Sequence, residues 1–356
     1  MNTVANTSPA ASRESAVDTR ATRPTPWWRQ ALLTRATAIL ALDIALFVLF
    51  TALSDNGVFA SSDNVQALLL AGTEALLLAV GLAMMLGAGI FDLSLGANLV
   101  LSSVVGARVM LHISTPAADG TYPHAAAAVL AGLLACVVTG AVFGTINGLL
   151  VAYLRINALI ATLGTLGIGT GIGYVISNGT DLSGVPTQLQ ENFGLRTIGV
   201  LPVPALVALV VATALYVCIR YTRFGMRTLA IGSSFSAADR VGIKAPRHLL
   251  KLAILGGALA GVAGFIDLSH FGSTAIQGHS NDALNAVTAA VIGGTMLEGG
   301  KVSIIGALWG TALAVILQSG LVIVGVSSYY QLIAVGGVLI LAVALDRLTY
   351  IRRRAT

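Results

Sequence analysis

The sequence predicts an all-α protein, a polytopic bundle of about ten transmembrane helices with both termini on the cytoplasmic side. Three observations predict it: a scarcity of charge, apolar runs long enough to cross a bilayer, and basic residues gathered at alternate ends of those runs. Of 356 residues, 56% are hydrophobic and 10% charged, whereas soluble domains carry roughly 25% charged residues. A chain of this length could bury a large aqueous core, but it could not cover that core with so few charges. A hydrocarbon solvent removes the need. The 40 glycines suit the same solvent, because helices in lipid approach one another through small side chains.

Taken in order, residues 1–28 are rich in Ser, Thr, Ala and Pro and lack apolar periodicity, so they read as a disordered cytoplasmic tail. The first apolar run begins after Trp27, Trp28 and Arg29, late for a signal peptide, with no small-x-small cleavage pattern behind it. It stays as the first span. Crossing a bilayer takes about 20 apolar residues, and such runs occur at 36–53, 65–88, 94–112, 125–153, 156–177, 199–219, 250–269, 302–325 and 328–346. A tenth, at 284–297, is short and is followed closely by Gly293-Gly294 and Glu298-Gly299-Gly300. A tilted short span and a broken re-entrant helix both fit it. The membrane-spanning body therefore covers 29–350, with a basic cytoplasmic tail at 351–356.

With the N-terminus inside and ten crossings, every Lys and Arg except Arg108 and Arg196 falls on the inner side. That is a strong positive-inside bias, and it accounts for a pI near 9.5 without nucleic acid as a partner. The outer loops are 54–64, 113–124, 178–198 and 270–283. In the longest, Leu189, Phe193 and Leu195 read either as an amphipathic element or as plain surface loop. Cys136 and Cys218 lie in apolar runs and read as packing residues, so they indicate no disulfide framework and no metal site.

Three segments carry chemistry. Gly89-Ile90-Phe91-Asp92-Leu93-Ser94-Leu95-Gly96 interrupts apolar sequence with a carboxylate and a hydroxyl. Asp92 and Ser94 read as caps of the following helix, or as a break beside a solute path, since broken helices line cavities in transporters. Asn147, Thr162 and Thr165, in Phe143–Leu150 and Arg155–Thr165, are polar groups among small residues. They serve helix packing or the lining of a pore. The loop from Arg220 to Lys251 is the only sizeable soluble piece between spans, and Ser236-Ala237-Ala238-Asp239 has the form of a helix start. A short docking helix punctuated by Gly232 and Gly242 fits it, as does a basic loop held near anionic lipid.

These segments resemble the ribose/galactose/xylose-type ABC transporter permease family. The resemblance rests on Phe91–Gly96, Ile146–Leu150, Ala161–Thr165, Arg223-Phe224-Gly225, Ala230-Ile231-Gly232, Ala237-Ala238, Gly242-Ile243 and Val291–Thr295, in that order and spacing, from about residue 60 to about 350. It implies a membrane dimer, a homodimer or paired permease, with two cytosolic ABC ATPase subunits and an extracytoplasmic solute-binding protein. Segment 230–243 resembles the family's ATPase-coupling loop, which makes Gly225, Gly232, Ala237, Ala238 and Gly242 the coupling candidates. Asp92, Ser94, Asn147, Thr162 and Thr165 are the translocation-path candidates. The resemblance further implies import of a small polar solute, a monosaccharide, through a cell inner membrane. Ile90-Phe91 and Asn157-Ala158 depart from the family's pattern and leave the particular sugar open.

A nucleotide site would need G-x-x-x-x-G-K-[ST] opening a helix. Its nearest approach, Glu298-Gly299-Gly300-Lys301-Val302, lacks the hydroxyl residue, so ATP is expected on a partner and no cofactor on this chain. The run Gly167–Gly173 lies inside a span and reads as helix packing. An ion-coupled secondary transporter is the alternative, with Asp43, Glu74 and Asp267 as its membrane carboxylates. An enzyme is disfavoured: neither H-E-x-x-H nor G-x-S-x-G occurs, and His112, His124, His248, His270 and His279 show no metal-like spacing.

Overall fold

The computed structural model describes residues 35–117 and 119–327, with five positions between 330 and 340. The N-terminal tail, most of the run at 328–346 and the basic tail at 351–356 lie outside the described residues. Among the described residues, eight helices are long and apolar enough to cross a membrane. They are α1 (Arg35–Leu53), α2 (Ser62–Gly87), α3 (Leu95–Ile113), α4 (Ala125–Ala152), α5 (Ala158–Ser177), α6 (Val203–Tyr221), α9 (Ala245–Phe271) and α11 (Ile304–Ile323). Each overlaps one of the runs expected from sequence. The loop before α9 holds two short helices, α7 (Arg223–Ser233) and α8 (Phe235–Arg240). The tenth expected run forms α10 (Asp282–Ile292), whose 11 residues are too few to cross alone.

The core is built around α9, which packs on α2, α3 and α4. Its seam with α4 is a backbone-to-backbone contact: a side chain at Gly140 would collide with the carbonyl of Gly257, and one at Gly144 with that of Ala253. Small residues replace the hydrophobic effect that lipid cannot supply. In α2, 72% of the most apolar window is buried, against 17% in α1, so α2 is central and α1 peripheral. Leu130, Leu134, Val138, Val142 and Ile146 stand exposed at four-residue spacing and give α4 a lipid-facing stripe.

Segment 270–283, expected as an outer loop, instead turns into the bundle. Thr274 donates its backbone N–H to the Leu182 carbonyl at 3.0 Å, and Asp181 accepts from the Ile276 N–H at 2.8 Å. These bonds satisfy backbone groups that would otherwise be stranded away from water. The segment runs inward until the His279 carbonyl lies against Gly96, at the start of α3. From there α10 continues to the α7 side of the molecule, where Gly300 donates to the Gly87 carbonyl at 3.0 Å. Residues 272–292 thus form a short non-helical stretch that turns at 276–281 and then the helix α10.

The 178–202 connection holds a turn at Thr187–Leu189, a π-helical turn at Gln190–Gly194 and a two-residue hairpin pairing Thr197–Ile198 with Leu201–Pro202. Leu189 is buried and Phe193 stacks on Phe265 with ring centroids 5.6 Å apart, whereas Leu195 is exposed. Two of the three apolar residues are therefore packed inward, Phe193 against α9, and the third is not.

Candidate functional site

The break between α2 and α3 forms because Gly89 adopts φ 79°, a left-handed turn that glycine makes without penalty. Asp92 and Ser94 then point into the bundle, 2% and 0% exposed. Asp92 Oδ1 accepts from the Ser94 backbone N–H at 2.8 Å and from its hydroxyl at 2.6 Å. Asn147, reaching across from α4, donates Nδ2 to Ser94 Oγ at 2.7 Å and to Asp92 Oδ2 at 3.2 Å. Asn147 Oδ1 has no partner among the described residues. Burial pushes the Asp92 carboxyl above the usual carboxylate range, and the bonds from Ser94 and Asn147 oppose that shift.

This geometry corrects the capping expectation. Ser94 occupies the cap position of α3 but makes no side-chain cap bond. Its hydroxyl is spent on Asp92 and Asn147. Thr162 and Thr165 do not join the network: Thr162 Oγ1 donates to the Ala158 carbonyl at 2.8 Å and Thr165 Oγ1 to the Thr162 carbonyl at 3.3 Å, both within α5. A buried polar residue beside the network was missed. Asn98 lies a turn beyond Ser94, donates Nδ2 towards the Gly140 and Gly257 carbonyls at 3.3 and 3.4 Å, and accepts from Ser102 at 3.3 Å. The four-residue spacing of Ser94, Asn98 and Ser102 was the signal that could have found it.

The second assembly is the α7–α8 pair. Thr222 caps α7 by accepting from the Phe224 N–H at 3.2 Å, and Ser234 caps α8 by accepting from the Ala237 N–H at 3.3 Å. The expected helix start at Ser236 therefore moves two residues back, and Asp239 falls in the last turn of α8 rather than its first. Gly232 does not punctuate a helix but sits within α7, against the backbone of Gly87 and Gly300. Gly225 is pressed on the Ile219 backbone and Ala238 is buried. Ala237 and Gly242 are exposed, beside the exposed apolar side chains of Phe235 and Val241. Of the five coupling candidates, three hold the platform and two lie on its open surface.

A third group appears only in three dimensions. Glu74 of α2, Asp267 of α9 and His279 of the inturned segment each bring a ligand-type atom, and these atoms lie within 4.8 Å of one another. His279 Nε2 is 3.1 Å from Asp267 Oδ1, and its Nδ1 is 2.7 Å from Asp282 Oδ2. Asp43, the other membrane carboxylate, is buried with both oxygens unpartnered among the described residues.

Eight long apolar helices, a buried polar break and an exposed helix pair between them mark a multi-pass helical membrane protein. The family described as branched-chain amino acid transport system / permease component matches residues 64–343, and the chain belongs to that family. The D-allose transport system permease protein AlsC of Escherichia coli (strain K12) is 34% identical over 311 residues, 87% of this chain and 90% of that protein. The ribose import permease protein RbsC of the same organism is 31% identical over 90% of this chain and 96% of its own length. The galactose/methyl galactoside import permease protein MglC of Salmonella typhimurium (strain LT2) is 29% identical, covering 87% and 94%. Its relatives are thus sugar import permeases, as the sequence motifs imply. No solved structure matches the chain at a significant level.

Proposed function

We propose that this chain is the membrane-spanning subunit of a binding-protein-dependent ABC importer that carries a monosaccharide inward. The observation that carries the reading is similarity over nearly the whole length to permeases named for D-allose, ribose and galactose import. On this reading the chain crosses a cell inner membrane ten times with both termini cytoplasmic. Two copies, or a pair of related permeases, associate with two cytosolic ATPase subunits and an extracytoplasmic binding protein. ATP is bound and hydrolysed by the partners.

The geometry supports a division of labour. The α7–α8 pair offers Ala237, Gly242, Phe235 and Val241 as a docking surface. The Asp92–Ser94–Asn147 network places polar groups at a helix break, and the buried Asn147 carbonyl, unpartnered among the described residues, would meet a sugar hydroxyl once the bundle opens there. ATP-driven movement of the platform shifts the population between inward- and outward-open arrangements through contacts that differ in the two states.

The test is uptake of labelled D-allose, ribose and galactose by proteoliposomes holding the permease, its ATPase and its binding protein. Uptake of one of them should require internal ATP. Ala237→Trp should leave the protein inserted and abundant while removing ATP-dependent uptake. Accumulation driven by an ion gradient in vesicles containing the permease alone would overturn the proposal in favour of secondary transport.

A further inference from the structure

The group formed by Glu74, Asp267, His279 and Asp282 has no part in the transport scheme above. It is assembled by the fold from α2, α9, the inturned segment and the first residue of α10. The imidazole is bracketed on both nitrogens by carboxylates, at 2.7 Å to Asp282 and 3.1 Å to Asp267. With Nδ1–H donated to Asp282, the Nε2 lone pair faces the Asp267 oxygen. Two electron-rich atoms at that separation need a cation with them, a proton or a metal ion.

Two observations favour a metal. Asp267 is fully buried, yet its Oδ2 has no hydrogen-bond partner among the described residues. A buried carboxylate oxygen left bare is costly. Moreover, Glu74, Asp267 and Asp282 bring three carboxyl groups around one imidazole. Gathering that many oxygen donors away from water is costly without a cation among them. A histidine oriented through its far nitrogen by a carboxylate is also the arrangement that fixes metal-ligating imidazoles.

We propose that Glu74, Asp267 and His279 form a binding site for a divalent transition-metal ion, with Asp282 orienting His279. Mixed imidazole and carboxylate donors suit zinc and manganese, and three protein ligands leave one position open. Ligand atoms around tetrahedral zinc stand about 3.4 Å apart. Contraction from the present spread of up to 4.8 Å asks for side-chain rotation rather than rearrangement of helices. The ion would tie α2 and α9 to the inturned segment and so hold that segment against Gly96 of α3.

The experiment uses full-length permease in lipid nanodiscs, probed with Zn²⁺, Mn²⁺ and Co²⁺. About one Zn²⁺ or Mn²⁺ per chain should bind and raise the thermal unfolding midpoint, with EDTA reversing the shift. Bound Co²⁺ should give a visible ligand-field spectrum that Zn²⁺ displaces. Glu74→Gln and His279→Gln should each weaken binding at least tenfold, and Asp282→Asn by about 10–100-fold, the range for loss of an orienting partner. Wild-type protein that neither binds nor is stabilised by these ions at millimolar concentration would overturn the site, leaving the cluster held by protons. Binding unchanged in Glu74→Gln and His279→Gln would place the ion elsewhere and overturn it too. Neither result depends on which solute the permease carries.

Discussion

At the residue scale, the most consequential side chain is Asn147, the only link across helices to the Asp92–Ser94 pair among the described hydrogen bonds. Asn147→Leu keeps the branching at Cγ but leaves a buried carboxylate and hydroxyl short of a donor, at a cost of about 1–3 kcal/mol. A lowered thermal midpoint in detergent, with less protein reaching the membrane, is the expected outcome; an unchanged midpoint would remove the network's structural role. Gly232 fails for a different reason. A side chain there would run into the Gly87 carbonyl and the Gly300 nitrogen, so Gly232→Leu should prevent accumulation of folded protein. Quantitative blotting of membranes distinguishes it from Ala237→Trp, which should be present in normal amounts. The sequence marked both positions for coupling and could not separate them, because a glycine that meets backbone and an alanine that meets solvent look alike in one dimension.

Elements were legible to the extent that their cause was local. A span needs continuous apolar residues, so eight helices lay where the runs were, and the brevity of 284–297 foretold a short helix without deciding between a tilted span and a broken one. The start of α8 was misplaced because Ser233, Ser234 and Ser236 all have capping side chains, and the choice depends on where the Thr222-capped α7 ends. Ser234→Ala should cost α8 about 1 kcal/mol of capping energy, whereas Ser236→Ala should cost little. Hydrogen exchange of the Ala237 and Ala238 amides reads the difference, and equal exchange in the two variants would return the cap to Ser236. The inturned 272–281 segment was not legible. Its polar composition reads as exposed loop, and only the bonds to Asp181, Leu182 and Asp267 make burial tolerable. The same non-local pairing hid the Glu74–Asp267–His279 group, whose members lie on three separate segments of the chain.

For the whole molecule, the proposed orientation rests on the charge asymmetry, which would put the α7–α8 platform on the cytoplasmic side. Single cysteines at Val241 and Ile198, both exposed, should label from opposite faces of intact cells, Ile198 from outside and Val241 only after permeabilisation. Labelling of both from one face would break the ten-crossing arrangement. A last consequence follows from the contact of Gly87, Gly232 and Gly300. Backbone meets backbone there with no side chain to act as a cushion. The foot of α2 and the rear of α7 are therefore geared together like meshed teeth. On the proposed function, a push on the exposed helix pair would reach α2 directly, whose lower end leads into the Asp92 break and whose middle carries Glu74.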